Sequence, residues 1–580
     1  MNYDAIVIGT GFGATIAATR LVERGKRVVV LERGTWWVTP DAPGQMTATK
    51  NLYGWIRENN HPVQHFLNSD DKDALLSLYG MVRSRRNKVG LYNFSHFKQA
   101  LVLTASGVGG GSLIYSNVNS VPRQEVLEKI GLEVGPTEFE AARRWMQGYR
   151  GRFNRIVTKM PLPGRDITDL GEDSYLYLGR TRALKEAAAA VSKRLGIEAD
   201  WHPLDLSTVE YDPERGSESE AAEAHTFCER LGRCVLGCPR SATHALSKTL
   251  YARLLARPEL GATVWPLANV RYATAVEGGY KVSFEDYGDG GKWKSVFAPM
   301  VFFGAGTLGT TEILLRSRDR GDLRLSDKLG QRFSTNGNFS GFAAGTSAPV
   351  HSTEGPINTC GVRLNLDGFN VTVEDCGIPP TFAGLLSTFV HAANGSDVRR
   401  TFRGKIALTW TRDRLPDFKK LSGHSNGDSA RADVANTFYF NVSSEDDASG
   451  VFRLHNNGLD LDWPTPIASH PVFEKIETLL RDFADAMGGR YVPFPTWRGV
   501  MDRKLVVLHP LGGCAVGATN AEGVVDGYGR LFDGGKPKGS TDVLPGLYVV
   551  DGSAIPGAVA TNPAMTIAAH ALKTVAAALP

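Results

Sequence analysis

The first apolar positions of the chain predict a strand, a helix and a second strand. Residues 3–8 form a short apolar run typical of a buried strand, and residues 15–24 have the spacing of a helix that Gly25 ends. A second apolar run, residues 27–31, follows at once. This order predicts a βαβ unit and therefore a parallel sheet.

The loop between the first strand and the helix carries a dinucleotide-binding pattern. Gly9-Thr10-Gly11-Phe12-Gly13-Ala14 has the form G-x-G-x-x-A. Its first glycine allows a tight turn, its second lets the backbone approach a pyrophosphate, and Ala14 lets the helix pack closely on the strand. Glu32, at the end of the second strand, is placed to accept from ribose hydroxyls, which disfavours NADP. The alternative is a glycine turn without a nucleotide.

Two further glycine-rich segments are candidates for cofactor contact. The loop Gly107-Val108-Gly109-Gly110-Gly111-Ser112 precedes residues 113–117, and its lack of side chains would let it lie against a flat ring. A second segment, residues 302–309, continues an apolar strand through glycines into a helical pattern at 310–316. For each segment a purely structural turn is the alternative.

The C-terminal part of the chain contains polar groups at the ends of predicted strands. Residues 504–508 predict a strand that leads into His509-Pro510-Leu511-Gly512-Gly513, and the apolar strand 547–550 ends at Asp551. An amphipathic helix, residues 567–578, follows. Ligands of open α/β sheets gather at the carboxyl ends of strands, so Asp551 is placed to bind a cofactor hydroxyl.

The region 336–499 has a different pattern. Short alternating runs at 438–442 and 451–454 predict strands, and residues 473–487 predict an amphipathic helix. We therefore expect a largely antiparallel sheet with helices on one side.

Composition narrows the function classes. The formal net charge is +4 and no long basic block is present, so nucleic acid is a poor candidate partner. The first residues lack a basic signal-peptide region, and no apolar run approaches the roughly 20 residues of a membrane span. We expect a soluble, cytoplasmic protein.

The six cysteines are too few for a disulfide scaffold in a chain of 580 residues. Cys228, Cys234 and Cys238 lie close enough in sequence to ligate a cluster or a metal. Reduced structural thiols are the interpretation we favour, so no metal site is assigned.

Together, these motifs resemble the glucose–methanol–choline (GMC) oxidoreductases, and most closely their flavin-containing cholesterol oxidase branch. The resemblance rests on the N-terminal fingerprint with Glu32, the 107–113 loop, the 304–316 segment, residues 509–513 and the run 551–567. It implies an α/β fold in which a discontinuous Rossmann-like FAD-binding domain carries an α+β substrate domain. The implied boundaries are 1–40, 85–335 and 500–580 for FAD binding, 41–84 for a lid and 336–499 for the substrate domain.

The resemblance also implies one non-covalent FAD. Glu32 would hold the adenosine ribose, Val270 and Gly304 would lie near the adenine, and Asn117 and Asp551 near the ribityl chain or flavin. The cofactor-binding residues expected from motif and resemblance are Gly9, Thr10, Gly11, Phe12, Gly13, Glu32, Arg33, Gly107, Gly110, Gly111, Ser112, Asn117, Val270, Gly304, Asp551, Gly552, Pro563 and Met565.

Three residues are expected to be catalytic. The active-site histidine of the family corresponds to His509, and its partner corresponds to Asn562. A neutral His509 would accept the hydroxyl proton, and Asn562 would orient the substrate oxygen. Glu374, followed by Pro379 and Pro380, is a loose match to the active-site glutamate of cholesterol oxidases; a solvated carboxylate is its alternative. The 107–117 loop contains no histidine, so a histidyl-linked flavin is not expected.

The sequence therefore predicts FAD-dependent oxidation of a small-molecule alcohol, bulky and apolar such as a sterol, with oxygen as acceptor. Double-bond isomerisation would follow if Glu374 lies in the site. A dehydrogenase that passes electrons to a quinone or a protein is the first alternative. A non-catalytic flavin-binding protein is the second.

Overall fold

The computed structural model describes residues 3–37, 88–148, 178–208, 261–320, 323–384, 434–456, 458–498 and 503–579, together with 228, 230–236, 238, 242–243, 245–247, 386–387 and 390. The predicted lid, residues 41–84, lies outside these residues. The helices are α1 Phe12–Glu23, α2 Gln124–Ile130, α3 Pro136–Gly148, α4 Gly179–Leu195, α5 Gly306–Arg320, α6 Pro471–Ala486, α7 Pro495–Arg498 and α8 Ala564–Ala578.

The strands belong to two six-stranded sheets, two three-stranded sheets and a hairpin. They are β1 Ala5–Ile8, β2 Val28–Leu31, β3 Tyr92–His96, β4 Ala100–Ala105, β5 Ala199–Pro203, β6 Ala262–Trp265, β7 Ala268–Val276, β8 Gly279–Asp286, β9 Lys292–Ala298, β10 Met300–Phe303, β11 Phe339–Ala344, β12 Cys360–Leu366, β13 Phe369–Cys376, β14 Thr437–Ser444, β15 Val451–His455, β16 Gly458–Asp462, β17 Arg490–Pro493, β18 Leu505–Val507, β19 Arg530–Phe532 and β20 Val543–Val549.

The first six-stranded sheet joins both ends of the chain. Its order is β19-β20-β10-β1-β2-β6, with every pair parallel except β19–β20. All four residues of β1 are buried, as the continuous apolar run predicts for a strand at the centre of a parallel sheet. The predicted βαβ unit and the α/β fold class are confirmed. Because the sheet is parallel, the carboxyl ends of β1, β2, β10 and β20 meet at one edge.

Helices α1 and α8 pack together against this sheet, and α3 packs on α8. The meander of β7, β8 and β9 also contacts the sheet, and α5 packs on β7. The N-terminal helix and the C-terminal helix therefore share one core, which explains why the cofactor motifs lie at opposite ends of the sequence.

The second six-stranded sheet has the order β17-β11-β14-β13-β12-β5 and is entirely antiparallel. Its two faces differ in chemistry because side chains alternate along a strand. On β14, Phe440 packs edge-to-face against Phe483 of α6, with ring centroids 6.2 Å apart. Tyr439 and Asn441, the residues before and after Phe440, line a cavity on the opposite face of the sheet. The alternation predicted at 438–442 is confirmed.

Four elements join parts of the fold that the sequence did not predict. Strand β5 and helix α4 come from the 85–335 stretch but pack on the antiparallel sheet, so this stretch contributes to both layers. Strand β15 pairs with β16 in a separate hairpin, where Phe452 packs on Phe333. Strand β18 pairs with β4, outside both large sheets. The domain boundaries themselves stay a prediction.

None of the helices in the described part of the chain combines the length and apolar character that a membrane crossing requires.

Candidate active site

A cavity of about 820 Å³ opens at the carboxyl edge of the parallel sheet and extends to the antiparallel sheet. The glycine loop after β1 and the segment after β10 line one part of it. The antiparallel sheet contributes Tyr439 and Asn441, and the C-terminal segments contribute His509 and Asn562. The cavity therefore connects the predicted nucleotide cradle to the predicted catalytic residues.

The N-terminus of α1 faces this cavity without a side-chain cap. Its N-cap residue is Gly11. A Cβ added to Gly11 would have no atom within 4 Å. Uncapped N–H groups at a helix N-terminus and the positive end of the helix dipole favour a phosphate there. By contrast, the Asp551 carboxylate accepts from the N–H of Gly306 and so caps α5.

Glu32 joins the two glycine loops. Its carboxylate accepts hydrogen bonds from Thr10 Oγ1 at 2.6 Å, from the N–H of Gly34 at 2.8 Å and from the N–H of Gly107 at 3.1 Å. Burial raises the pKa of Glu32, while these donors favour the ionised form. The side chain also lines the cavity. Glu32 therefore holds the two glycine loops together at the wall of the cavity.

Asp551 is held in the same way at the other side of the cradle. Its two oxygens accept from the hydroxyls of Thr310 and Ser553 at 2.5 Å each, and from the N–H groups of Gly306 and Ser553. Burial raises its pKa. Asp551 thus positions the start of α5 and the turn after β20, both of which line the cavity.

Asn117 is wholly buried, and neither polar atom of its side chain has a partner among the described residues. A buried amide normally forms hydrogen bonds, so these atoms indicate a bound polar group. This observation agrees with the expected position of Asn117 near the cofactor.

His509 is half-buried, and Asn338 determines which of its ring nitrogens carries the proton. Asn338 Nδ2 lies 3.0 Å from His509 Nδ1, while Asn338 Oδ1 accepts from the N–H groups of Leu508 and His509 at 2.8 and 2.9 Å. Asn338 therefore donates to Nδ1. Burial lowers the pKa of His509 to about 4, so the ring is neutral near pH 7.

Glu374 lies on β13 just behind the cavity wall. Its Oε2 accepts from Asn358 at 3.2 Å and from Asn441 at 3.1 Å, and its Oε1 has no partner in the described part of the chain. Burial raises its pKa to about 7, against the opposing effect of the Asn441 and Asn562 amides. Glu374 is therefore adjacent to the site, but it does not line the cavity.

Most of the predicted residues share this cavity. The predicted residues that line it are Gly9, Thr10, Gly11, Phe12, Gly13, Glu32, Arg33, Gly110, Gly111, Val270, Gly304, His509, Asp551, Gly552, Asn562 and Pro563. Those that lie behind the lining are Gly107, Ser112, Asn117, Glu374 and Met565.

Comparison with known proteins gives the same family. The model of the GMC oxidoreductase C-terminal domain matches residues 496–571. Cholesterol oxidase of Mycobacterium tuberculosis (strain ATCC 25618 / H37Rv) is 25% identical over 98% of this chain and 90% of the relative. Cholesterol oxidase of Acinetobacter baumannii is 24% identical over 98% of this chain and 93% of the relative. The C-terminal part of the chain therefore matches the GMC oxidoreductase family, and the chain is similar to cholesterol oxidases over nearly its whole length.

The fold of a solved GMC-type structure agrees with this assignment. Pyridoxine 4-oxidase from Mesorbium loti superposes with a TM-score of 0.53 at 14% identity, covering 99% of both chains. These similarities support an FAD-dependent alcohol oxidoreductase. The uncapped α1 N-terminus, the open position at Gly11 and the unpartnered Asn117 amide fit that cofactor.

The motifs did not reveal the residues that support the GMC site. Asn338 holds His509, and Asn336 Oδ1 accepts from the N–H groups of Val559 and Ala560, just before Asn562. Both lie in the run Ser334-Thr335-Asn336-Gly337-Asn338. Asparagines flanking a glycine indicate a turn, but nothing local indicates what such a turn would bind.

The three clustered cysteines do not form a metal site among the described residues, where no group of three or more His, Cys, Asp or Glu side chains could hold an ion. Cys234, Cys238, Cys360, Cys376 and Cys514 are free thiols, and burial raises the pKa of Cys234 to about 12. Cys234 is therefore a protonated thiol, the form expected of a structural cysteine.

Proposed function

We propose that this GMC enzyme binds one FAD non-covalently and oxidises a bulky apolar alcohol, such as a sterol, to a ketone or aldehyde. The observation that supports this most directly is the single cavity that runs from the α1 N-terminus to His509 and Asn562. A cofactor cradled at one end would extend toward the catalytic residues at the other.

The residues that would hold FAD come from six segments of the chain. The N–H groups of α1 would bind the pyrophosphate, Glu32 the adenosine ribose, and Asn117 and Asp551 the ribityl chain or flavin. Val270 and Gly304 would border the adenine. When bound, FAD supplies the acceptor for the hydride of the alcohol. The 107–117 loop offers no histidine for a covalent link.

The substrate end of the cavity is largely apolar. Leu508, beside His509, and Phe94 each have about two-fifths of their surface exposed, at 38% and 41%. Further apolar lining comes from Ile357, Pro379, Phe382 and Leu459. Because apolar surface binds apolar substrates, this lining favours a hydrophobic alcohol over a sugar.

The polar groups at this end suit an alcohol oxygen. His509 is neutral near pH 7 and so can form a hydrogen bond to the hydroxyl without adding charge. Asn562 is 5% exposed and can fix the direction of the C–O bond. Burial raises the pKa of Glu374 to about 7. Its carboxylate could therefore take a proton from a carbon next to a product ketone, as double-bond isomerisation requires.

The decisive experiment is anaerobic reduction of the bound flavin by a panel of sterol, terpenoid, aromatic and sugar alcohols. We expect bleaching by apolar secondary or bulky alcohols, and none by sugars. Reduction by sugar alcohols alone would contradict the apolar assignment, and no reduction by any alcohol would favour a non-catalytic flavoprotein. Peroxide release in air separates an oxidase from a dehydrogenase that needs a quinone or a protein acceptor.

We propose a cytoplasmic location as well. Five cysteines, at positions 234, 238, 360, 376 and 514, are free thiols, and free thiols suit a reducing compartment. Fractionation of the producing cell checks this, and recovery in a secreted or membrane fraction would contradict it.

A further inference from the structure

One row of residues crosses three neighbouring strands of the antiparallel sheet. Glu374 on β13 lies directly opposite Gly361 on β12, and Gly361 lies directly opposite His202 on β5. Residues paired in this way point to the same face of a sheet. Opposite residues are about 5 Å apart, so the Cα atoms of Glu374 and His202 are about 10 Å apart, with only the glycine between them.

The glycine leaves space over β12, and the imidazole ring of His202 reaches into it. A Cβ added to Gly361 would lie 3.4 Å from His202 Nε2 and 3.5 Å from Leu204 Cδ2, and no atom would be nearer. The ring is therefore directed over the glycine toward Glu374. A larger side chain at position 361 would separate the two groups.

Two polar atoms in this row have no hydrogen-bond partner among the described residues. Glu374 is 2% exposed, and its Oε2 accepts from the amides of Asn358 and Asn441 while its Oε1 accepts from neither. His202 Nε2 is likewise buried and unpartnered. Buried polar atoms normally have partners, and a bound water molecule commonly supplies them where direct contact is not made.

The hydrogen bonding of His202 suits such a water. Its Nδ1 lies 3.1 Å from the carbonyl oxygen of Asp200, and because a carbonyl only accepts, Nδ1 carries the proton and Nε2 has a lone pair. Burial and the nearby Arg363 lower the pKa of His202, and Arg123 adds a smaller effect. Asp200 opposes them. The ring is therefore neutral near pH 7.

The outer side of this ring reaches the surface. Strand β5 is the edge strand of its sheet, and Asp200, whose carbonyl contacts Nδ1, is exposed. His202 itself is half-buried. One ring nitrogen therefore faces the buried space over Gly361, and the other lies at the solvent side.

We propose that a water molecule bound over Gly361 joins Glu374 Oε1 to His202 Nε2 and lets the buried carboxyl group exchange its proton with solvent. In this Glu374–His202 relay, the carboxyl passes its proton to the water as the water passes one of its own to Nε2. The imidazolium then releases its Nδ1 proton to solvent, so one proton leaves and a carboxylate remains. His202 acts through Glu374 and is a positioning residue. Use of the relay in catalysis rests on the proposed function, in which Glu374 takes up a proton from the site.

Infrared difference spectroscopy of the holoenzyme tests the relay without a substrate. Burial raises the pKa of Glu374 to about 7, so at about pH 6 the group is mostly protonated. The C=O stretch of a carboxyl group shifts when deuterium replaces its proton, and Glu374→Gln identifies the band by removing it. After mixing with D₂O, we expect the shift within the mixing time in the wild type. In His202→Leu it should be slower on the order of tenfold or more, because exchange must then wait for local opening.

Gly361→Ala tests the water site itself. Its methyl group would meet no atom closer than 3.4 Å, so the variant should fold, but the methyl occupies the space over β12 and should slow the exchange as well. His455→Leu is the matched control, because His455 is exposed on the β15–β16 hairpin, outside the antiparallel sheet. Its exchange should be as fast as in the wild type.

Slow exchange in the wild type would overturn the relay. So would wild-type exchange rates in folded His202→Leu and Gly361→Ala, since protons would then reach Glu374 through the cavity. If His202→Leu does not fold, Gly361→Ala decides the point. If the variants slow exchange but no alcohol reduces the flavin, the relay stands and the proposed function fails.

Discussion

Gly13 contacts the carbonyl oxygen of Val550 so closely that a Cβ on Gly13 would lie 1.5 Å from that oxygen. Gly13 is in the first turn of α1, and Val550 follows β20 near the other end of the chain. The contact brings the N-terminal helix against the strand end that leads to Asp551. A glycine is therefore required here for close approach of two backbones, which also closes the cofactor cradle.

Gly13→Ala should destabilise the apoprotein, since α1 would have to move away from the sheet; overpacking of this kind costs about 1–3 kcal/mol or more. Gly11→Ala is the matched control. Its added methyl group meets no atom within 4 Å, so the apoprotein should unfold at the wild-type temperature while FAD binds more weakly. Thermal unfolding of the apoproteins and FAD titration separate the two effects. Equal unfolding temperatures for both variants would contradict the argument.

Arg180 and Asp375 form an ion pair in which both side chains are completely buried, with Nε and Oδ2 2.8 Å apart. Asp375 also accepts from the N–H groups of Thr359 and Cys360. Arg180→Met would leave Asp375 as an unpaired buried charge, at a cost of about 3–5 kcal/mol. Urea unfolding should show this loss.

Arg20→Met is the control for that measurement. Arg20 pairs with Glu23 on the exposed surface of α1, where an ion pair is worth roughly 0–1 kcal/mol. If the two variants lose equal stability, the buried pair does not have the structural role assigned to it.

His509→Ala and Asn562→Ala should keep the yellow colour of bound flavin, because neither side chain contributes to the glycine cradle. Anaerobic reduction by the best alcohol should slow by more than about 100-fold in each. Stopped-flow absorbance measures the rate, and His455→Ala, on the exposed end of β15, serves as control. Reduction at the wild-type rate in either variant would remove that residue from the catalytic site.

The nucleotide cradle could be predicted from sequence because its information is local. The turn, the pyrophosphate approach and the helix packing are each encoded within Gly9–Ala14, and the burial of β1 follows from an unbroken apolar run. Strand β18 could also be predicted from the sequence. Its pairing with β4 could not, because the two strands are about 400 residues apart along the chain.

The support of His509 could not be predicted for the same physical reason. Asn338 and His509 are 171 residues apart, and the amide orientation depends on two backbone N–H groups that any sequence provides. The prediction that His509 accepts the proton followed from its residue type and from the family resemblance, and it stays a prediction. The tautomer depends on a contact that only the folded chain creates. The motif predicted a role for His509, and only the fold shows its contact with Asn338.

Glu374 should give double-bond isomerisation of the product ketone a pH dependence near neutral pH. Burial and the neighbouring Asp375 raise the pKa of Glu374 to about 7, while Asn441, Asn562 and Arg363 oppose that rise. The carboxyl group of Glu374 is protonated below pH 7 and ionised above it. It can therefore take up a proton from the site only at the higher pH. We expect isomerisation of the product ketone, followed by the ultraviolet absorbance of the conjugated ketone, to accelerate from pH 5.5 to 8.5 with a midpoint near 7, and Glu374→Gln to remove that inflection. An inflection that persists in Glu374→Gln would assign the titration to another group, and a flat wild-type profile would exclude Glu374 from the proton path.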